Sequence, residues 1–129
     1  MTATRRAACS CGQLTVTTQG EPARNSVCHC LNCKRRTGTA FSWNATFEET
    51  QVEVAGEHAS YTRSSEEGFW ARHHFCSVCG TRVFSRSSGG RTWFRSWPGC
   101  SWILPSSPTV EVYGERRCTW LPEVAASQE

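Results

Sequence analysis

The chain has 129 residues, a length that fits one domain. Only 20 of them are Leu, Ile, Val or Phe, so the aliphatic core is thin. A net charge of +3 and six Trp nevertheless exclude a disordered chain. No apolar run is long enough to span a membrane. The scattered basic residues form no aromatic–basic stripe of the kind that grips a nucleic-acid strand.

Residues 1–8 hold no apolar segment of the sort a signal peptide needs, and read as an N-terminal tail. Cys9-Ser10-Cys11-Gly12 follows, where an extended backbone puts both sulfurs on one side. Gln13 to Thr18 alternates polar and apolar residues and then meets Gly20-Glu21-Pro22, a strand ended by a turn. Next comes Cys28-His29-Cys30-Leu31-Asn32-Cys33. If Cys28 and Cys30 are extended they share a face, His29 points away from it, and Cys33 returns toward them from a turn. A short helix is expected from Asn32 to Arg36, stopping at Gly38. Strands are expected over Ala40 to Phe47, Gln51 to Val54, Ser60 to Thr62 and Phe69 to Phe75. Cys76-Ser77-Val78-Cys79-Gly80 has the form of a zinc knuckle, glycine letting the backbone turn tightly beneath the sulfurs. Thr81 to Ser85, Arg91 to Trp97 and Thr109 to Tyr113 are the remaining strand candidates. Ser87 to Gly90, Pro98-Gly99 and Pro105 to Pro108 are irregular, and 124–129 reads as a C-terminal tail. The expected fold is therefore mainly β, a small zinc-stabilised domain over 9–123 of short antiparallel strands with little helix.

Nine cysteines is an odd number, and their close spacing favours metal binding in a reducing compartment over disulfides. A soluble, cytoplasmic protein is the expectation. Cys9 and Cys11 with Cys76 and Cys79 make a closed four-thiolate zinc site that would close most of the chain into a loop. Cys28, Cys30 and Cys33 leave one tetrahedral position for water or a substrate thiol. A thiol on zinc is deprotonated yet nucleophilic, which suits attack on a small electrophile such as an aldehyde. The other reading is a second structural zinc whose fourth ligand comes from His29, His73, His74, Cys100 or Cys118. Thiolates around two zinc ions would offset the +3 charge, so basicity is no guide to a partner. Lys34, Arg35 and Arg36 stand beside the three-thiol cluster, where arginine's fork could clamp a carboxylate.

The ordered set Cys9-x-Cys11-Gly12, Cys28-His29-Cys30-x-x-Cys33 with Thr37-Gly38, and Phe75-Cys76-x-x-Cys79-Gly80-Thr81 resembles the glutathione-dependent formaldehyde-activating enzyme family, which includes centromere protein V. The likeness runs from about Cys9 to Trp120. It implies a β-tent fold, a structural zinc on Cys9, Cys11, Cys76 and Cys79, and a catalytic zinc on Cys28, Cys30 and Cys33. The implied activity is a carbon–sulfur lyase joining glutathione and formaldehyde, with a small thiol and a small electrophile as partners. The competing class is a non-enzymatic zinc module that docks a protein or nucleic acid, as the centromere branch suggests. One departure bears on substrate. Where the family carries a Gly-Thr-Leu-Asp-like stretch, this chain reads Pro98-Gly99-Cys100-Ser101-Trp102, and it contains no Asp at all.

Overall fold

The computed structural model describes residues 3–64, 68–88, 93–96 and 107–128. The alternating segments become strands β1 (Thr4–Ala8), β2 (Thr15–Gln19), β3 (Arg24–Cys28), β4 (Ser42–Glu48), β5 (Val52–Ala55) and β6 (His58–Ser64). They are followed by β7 (Trp70–Cys76), β8 (Arg82–Ser87), β9 (Trp93–Ser96), β10 (Val110–Val112) and β11 (Ala126–Gln128). The α-helix, α1 (Leu31–Thr37), ends where Gly38 takes a left-handed φ of 69° and its N–H reaches the Lys34 carbonyl at 2.8 Å. That is the glycine stop expected from the sequence.

Two sheets result. A small antiparallel one has the order β1-β2-β5, and an eight-stranded one runs β11-β10-β3-β4-β9-β8-β7-β6. The protein is mainly β, and among the described residues β10 departs from antiparallel pairing, lying parallel to both β3 and β11. Both segments read as tails supply strands. Residues 4–8 pair with β2, from Thr4 opposite Gln19 to Ala8 opposite Thr15, and β11 extends the far edge of the large sheet. Neither segment is apolar enough to announce itself. Backbone pairing with a neighbouring strand recruits them, and it depends on that neighbour more than on local side chains.

The core lies between the sheets. Ala7, Leu14 and Val16 from the small sheet and its turn meet Val83 and Phe84 of β8, with Val52 and Val54 of β5 packed alongside. Cys9 and Cys76 are buried members of the same cluster. The first thiol site is thus part of the core, and it joins the small sheet to the large one. A Cβ at Gly56, where φ is +110°, would collide with the Gln13 carbonyl, so only glycine fits this crossing between β5 and β6. Among the described residues no helix is long and apolar enough to cross a membrane.

Candidate functional site

Each half of the four-thiol site is a tight turn whose amides point at sulfur. In the first, the Cys9 N–H reaches the Leu14 carbonyl at 3.0 Å, and the Leu14 N–H donates to Cys9 Sγ at 3.3 Å. In the second, Gly80 N–H bonds the Cys76 carbonyl at 2.9 Å while the Val78 and Cys79 amides both donate to Cys76 Sγ at 3.4 Å. Gln13 bridges them: its Nε2 donates to Cys76 Sγ at 2.9 Å and to the Glu57 carbonyl at 2.6 Å, and its Oε1 accepts from the Glu57 N–H at 2.9 Å. Thr81 Oγ1 accepts from the Ser10 N–H at 3.1 Å, a second latch between the turns.

Cys9, Cys11, Cys76 and Cys79 form one group that could hold a metal ion, all four sulfurs lying within 4.8 Å of one another. Cys9 Sγ and Cys11 Sγ are 3.6 Å apart, and Cys11 Sγ and Cys76 Sγ 3.8 Å. A tetrahedron with zinc–sulfur bonds of about 2.3 Å has edges of about 3.8 Å, so the spacing fits zinc and is far too long for a disulfide. The charges agree. The Thr81 hydroxyl and amide, followed by the Cys11 amide, pull Cys79 down to about 5. The Gln13 amide also favours the Cys11 thiolate, yet desolvation and the three neighbouring sulfurs overcome it and push Cys11 up to about 11. Four sulfurs this close ionise together only with a cation between them.

The three-thiol group is built where β3 runs into α1. Cys28 ends β3 opposite Ser42 of β4, Cys30 is the N-cap of α1, and Cys33 lies in the helix's first turn. Cys30 Sγ accepts from the Cys33 N–H at 3.3 Å, the bond that folds Cys33 back toward its partners. The three sulfurs also lie within 4.8 Å of one another, and the group could hold a metal ion. Its polarity is uneven. Bonding to Cys30 and Cys33 drives the Cys28 thiol well above the usual range, whereas bonds from Cys28 and Cys30, then Ser42 and the Arg36 charge, drive Cys33 well below it. Arg36 Nη2 stands 3.3 Å from Cys33 Sγ. Cys33 is therefore the sulfur whose thiolate the surrounding donors and the Arg36 charge favour.

None of the alternative fourth ligands joins this group among the described residues. His29 is fully buried and points at Glu111, its Nε2 lying 3.1 Å from Oε1. Glu111, itself fully buried, also accepts from Arg117 Nη2 at 2.9 Å and from the Val124 N–H at 3.4 Å. His74 stacks on Phe84 with ring centroids 4.5 Å apart. His73 sits in the field of the site without joining it. Burial and then the charges of Arg36, Arg63 and Arg82 hold it down at about 4, against an opposing pull from Cys33. Cys118 is half-buried and belongs to neither group. Cys100, with the whole Pro98-Gly99-Cys100-Ser101-Trp102 stretch, lies outside the described residues.

A cavity of about 560 Å³ opens beside the three-thiol group, its walls including Arg36, Phe41, Ser42, Trp43, Gly80 and Arg82. The basic run divides at this point. Lys34 Nζ donates to the Arg116 carbonyl at 2.6 Å and Arg35 is exposed, so Arg36 is the one that faces both sulfur and cavity. Gln13, Ser42, Arg82, Glu111 and Arg117 were not singled out by the sequence. Glu111 was hidden because a Glu between two valines reads as the solvent side of a strand. Here the alternation is inverted, with Glu111 buried and Val110 and Val112 only half-buried.

Comparison with known proteins agrees with the cysteine pattern. Residues 4–101 match the family model described as glutathione-dependent formaldehyde-activating enzyme. A protein of Fusarium vanettenii with the provisional description "glutathione-dependent formaldehyde-activating enzyme" is 31% identical over 81 residues. That match covers 63% of this chain and 43% of the relative, so the likeness spans under half of the curated protein. With three-quarters of its length matched and both thiol groups assembled, the chain belongs to the glutathione-dependent formaldehyde-activating enzyme family.

Proposed function

We propose that this protein is a zinc-dependent enzyme of carbon–sulfur lyase type that joins a small thiol, glutathione or a similar one, to formaldehyde or another small electrophile. In this reading a structural zinc lies on Cys9, Cys11, Cys76 and Cys79, and Cys28, Cys30 and Cys33 are the catalytic group. The observation that carries it is the inequality of the two groups. One has four sulfurs and is built into the core; the other has three and adjoins a cavity.

Cys28, Cys30 and Cys33 would hold the second zinc, which supplies a Lewis acid that keeps a thiol in its nucleophilic, deprotonated form near pH 7. The protein's own groups do the rest. Arg36 and Ser42 stabilise negative charge on Cys33, and the cavity wall orients the thiol's carbon skeleton beside it. In the addition the thiol sulfur forms a bond to the carbonyl carbon, the C=O π pair moves to oxygen, and oxygen takes up a proton from solvent. The thiol's own proton is released, so the adduct is the simple sum of thiol and aldehyde. As part of the same proposal, the protein works in the cytoplasm, where its cysteines stay reduced.

The test is zinc content and turnover in Cys33→Ser. Zinc should fall from two per chain to one with the fold retained, and the hydroxymethyl-thiol exchange followed by NMR should drop by at least about a hundredfold, the loss expected when a reacting group is no longer activated. Unfolding of the variant would reassign the second zinc as structural, and undiminished exchange would remove the catalytic role.

A further inference from the structure

We propose that Glu111 is a positioning residue for the three-thiol group: acting through His29, it sets how Cys28 and Cys30 present their sulfurs and so how tightly the group holds its metal. The role rests on the reading of Cys28, Cys30 and Cys33 as a metal site. His29 stands between two of the thiols in the chain, so a shift of its backbone carries both with it. Its ring is fully buried, with Nε2 3.1 Å from Glu111 Oε1. Nδ1 has no hydrogen-bond partner among the described residues, and the neighbouring Phe41 ring is 5.9 Å away and tilted by 53°. The carboxylate is thus the polar contact that orients the imidazole. The His29 N–H donates to the Val112 carbonyl at 3.0 Å. Side chain and backbone of His29 are therefore held by two consecutive residues of β10, in a register that sets Val27 beside Glu111 and Cys28 beside Val112.

Glu111 is itself anchored, accepting from Arg117 Nη2 at 2.9 Å and from the Val124 N–H at 3.4 Å. An apolar pair would fill the same space without desolvating a charge. It would also leave the His29 segment free to slide, whereas a hydrogen bond fixes both distance and direction. Metal sites depend on such bonds behind their ligands. Here the carboxylate–histidine pair acts on the backbone between two ligands instead of on a ligand ring. The same segment steadies the third thiol. Lys34 Nζ donates to the Arg116 carbonyl at 2.6 Å, which ties α1, the helix carrying Cys33, to the residue beside Arg117. Glu111, Arg117 and Val124 all lie past residue 101, where the family match ends. The C-terminal segment is in this way built into the three-thiol site.

The experiment measures zinc affinity at each site by competition with a chelator, Cys33→Ser identifying the signal of the three-thiol group by its loss. In Glu111→Gln the affinity of that group should fall about 10–100-fold, the usual effect of removing a partner behind metal ligands, while the four-thiol site keeps its affinity. Arg117→Gln, which leaves the carboxylate on His29, should show a smaller loss at the same group and serves where Glu111→Gln does not fold. Gly56→Ala controls for lost stability, because its Cβ meets the Gln13 carbonyl beside the four-thiol site. It should weaken that site and spare the other. Cobalt(II) in place of zinc reads shape directly: the ligand-field bands absent from Cys33→Ser should shift in Glu111→Gln and stay in place in Gly56→Ala. Unchanged affinity and bands in Glu111→Gln overturn the inference and leave the metal site standing. Equal losses at the three-thiol group in Glu111→Gln and Gly56→Ala do the same, as does full affinity in Arg117→Gln where Glu111→Gln fails to fold. If the wild-type protein binds one zinc instead of two, the metal reading falls and the role of Glu111 falls with it.

Discussion

Glu111→Gln puts the buried His29–Glu111–Arg117 cluster to a quantitative test. The wild-type carboxylate is fully buried and accepts from His29, Arg117 and the Val124 amide at 3.1, 2.9 and 3.4 Å. Glutamine keeps the shape but loses the charge, and its amide turns a donor toward groups that are themselves donors. Charge-assisted bonds are each worth about 1.5–3 kcal/mol against about 0.5–1.5 for neutral ones. Weakening two of them therefore costs about 2–3 kcal/mol, which for a domain of this size lowers the melting temperature by about 8–12 °C. Burial alone would raise the Glu111 pKa, but the bonds from His29, Arg117 and Val124 outweigh it and hold the carboxyl below its ordinary value. A depressed carboxyl stabilises the fold fully above the unfolded value of about 4.3, and that contribution is lost as pH falls through the lower folded value. Melting curves of wild type and variant at fixed free zinc should accordingly lie far apart at pH 7 and converge in acid. Coincident curves at pH 7, or a gap that persists unchanged to pH 2, would refute the reasoning.

Two further substitutions probe the frame of the four-thiol site. Gly56→Ala forces a Cβ into the Gln13 carbonyl at a φ that disfavours L side chains, and Gln13 is the side chain that steadies Cys76. We expect a loss of about 2–4 kcal/mol, read by chemical denaturation, together with earlier release of zinc to a chelator; an unaffected midpoint would show that the crossing can relax. His74→Phe should do the opposite. Neither ring nitrogen of His74 has a hydrogen-bond partner among the described residues, and the ring stacks on Phe84. Replacing it with an apolar ring removes a desolvation penalty of about 1–2 kcal/mol, so the variant should melt higher, and a lower melting temperature would mean that the imidazole makes a needed polar contact.

The sequence went furthest where chemistry is local. A thiol two or three residues from another can meet it through one turn of backbone, so Cys9 with Cys11, Cys76 with Cys79, and Cys28, Cys30 and Cys33 were each legible as groups. Gly38 ending α1 is of the same kind. The joining of the first and third clusters into one site was legible too, because ligand-rule arithmetic leaves two half-sites each needing the other.

The tails are a different case. Pairing of 4–8 with β2 and of β11 with β10 depends on what edge each strand finds, and no local periodicity carries that information. Burial of Glu111 is the sharpest example. Alternation says which residues share a face, but which face is buried is decided by the strands on either side. Here β10 lies parallel between β3 and β11, and turns its Glu toward His29. The same holds for the cavity. Three adjacent basic residues were visible as a run, and only the folded chain separated Arg36 from Lys34 and Arg35 and put Arg82 on the wall of the same cavity. Thus the amino-acid order by itself determined which cysteines gather into groups that could hold a metal, because their spacing is a property of a few bonds. The tertiary structure alone decided what surrounds the three-thiol group, because side chains drawn from distant elements come together only after the sheets have formed.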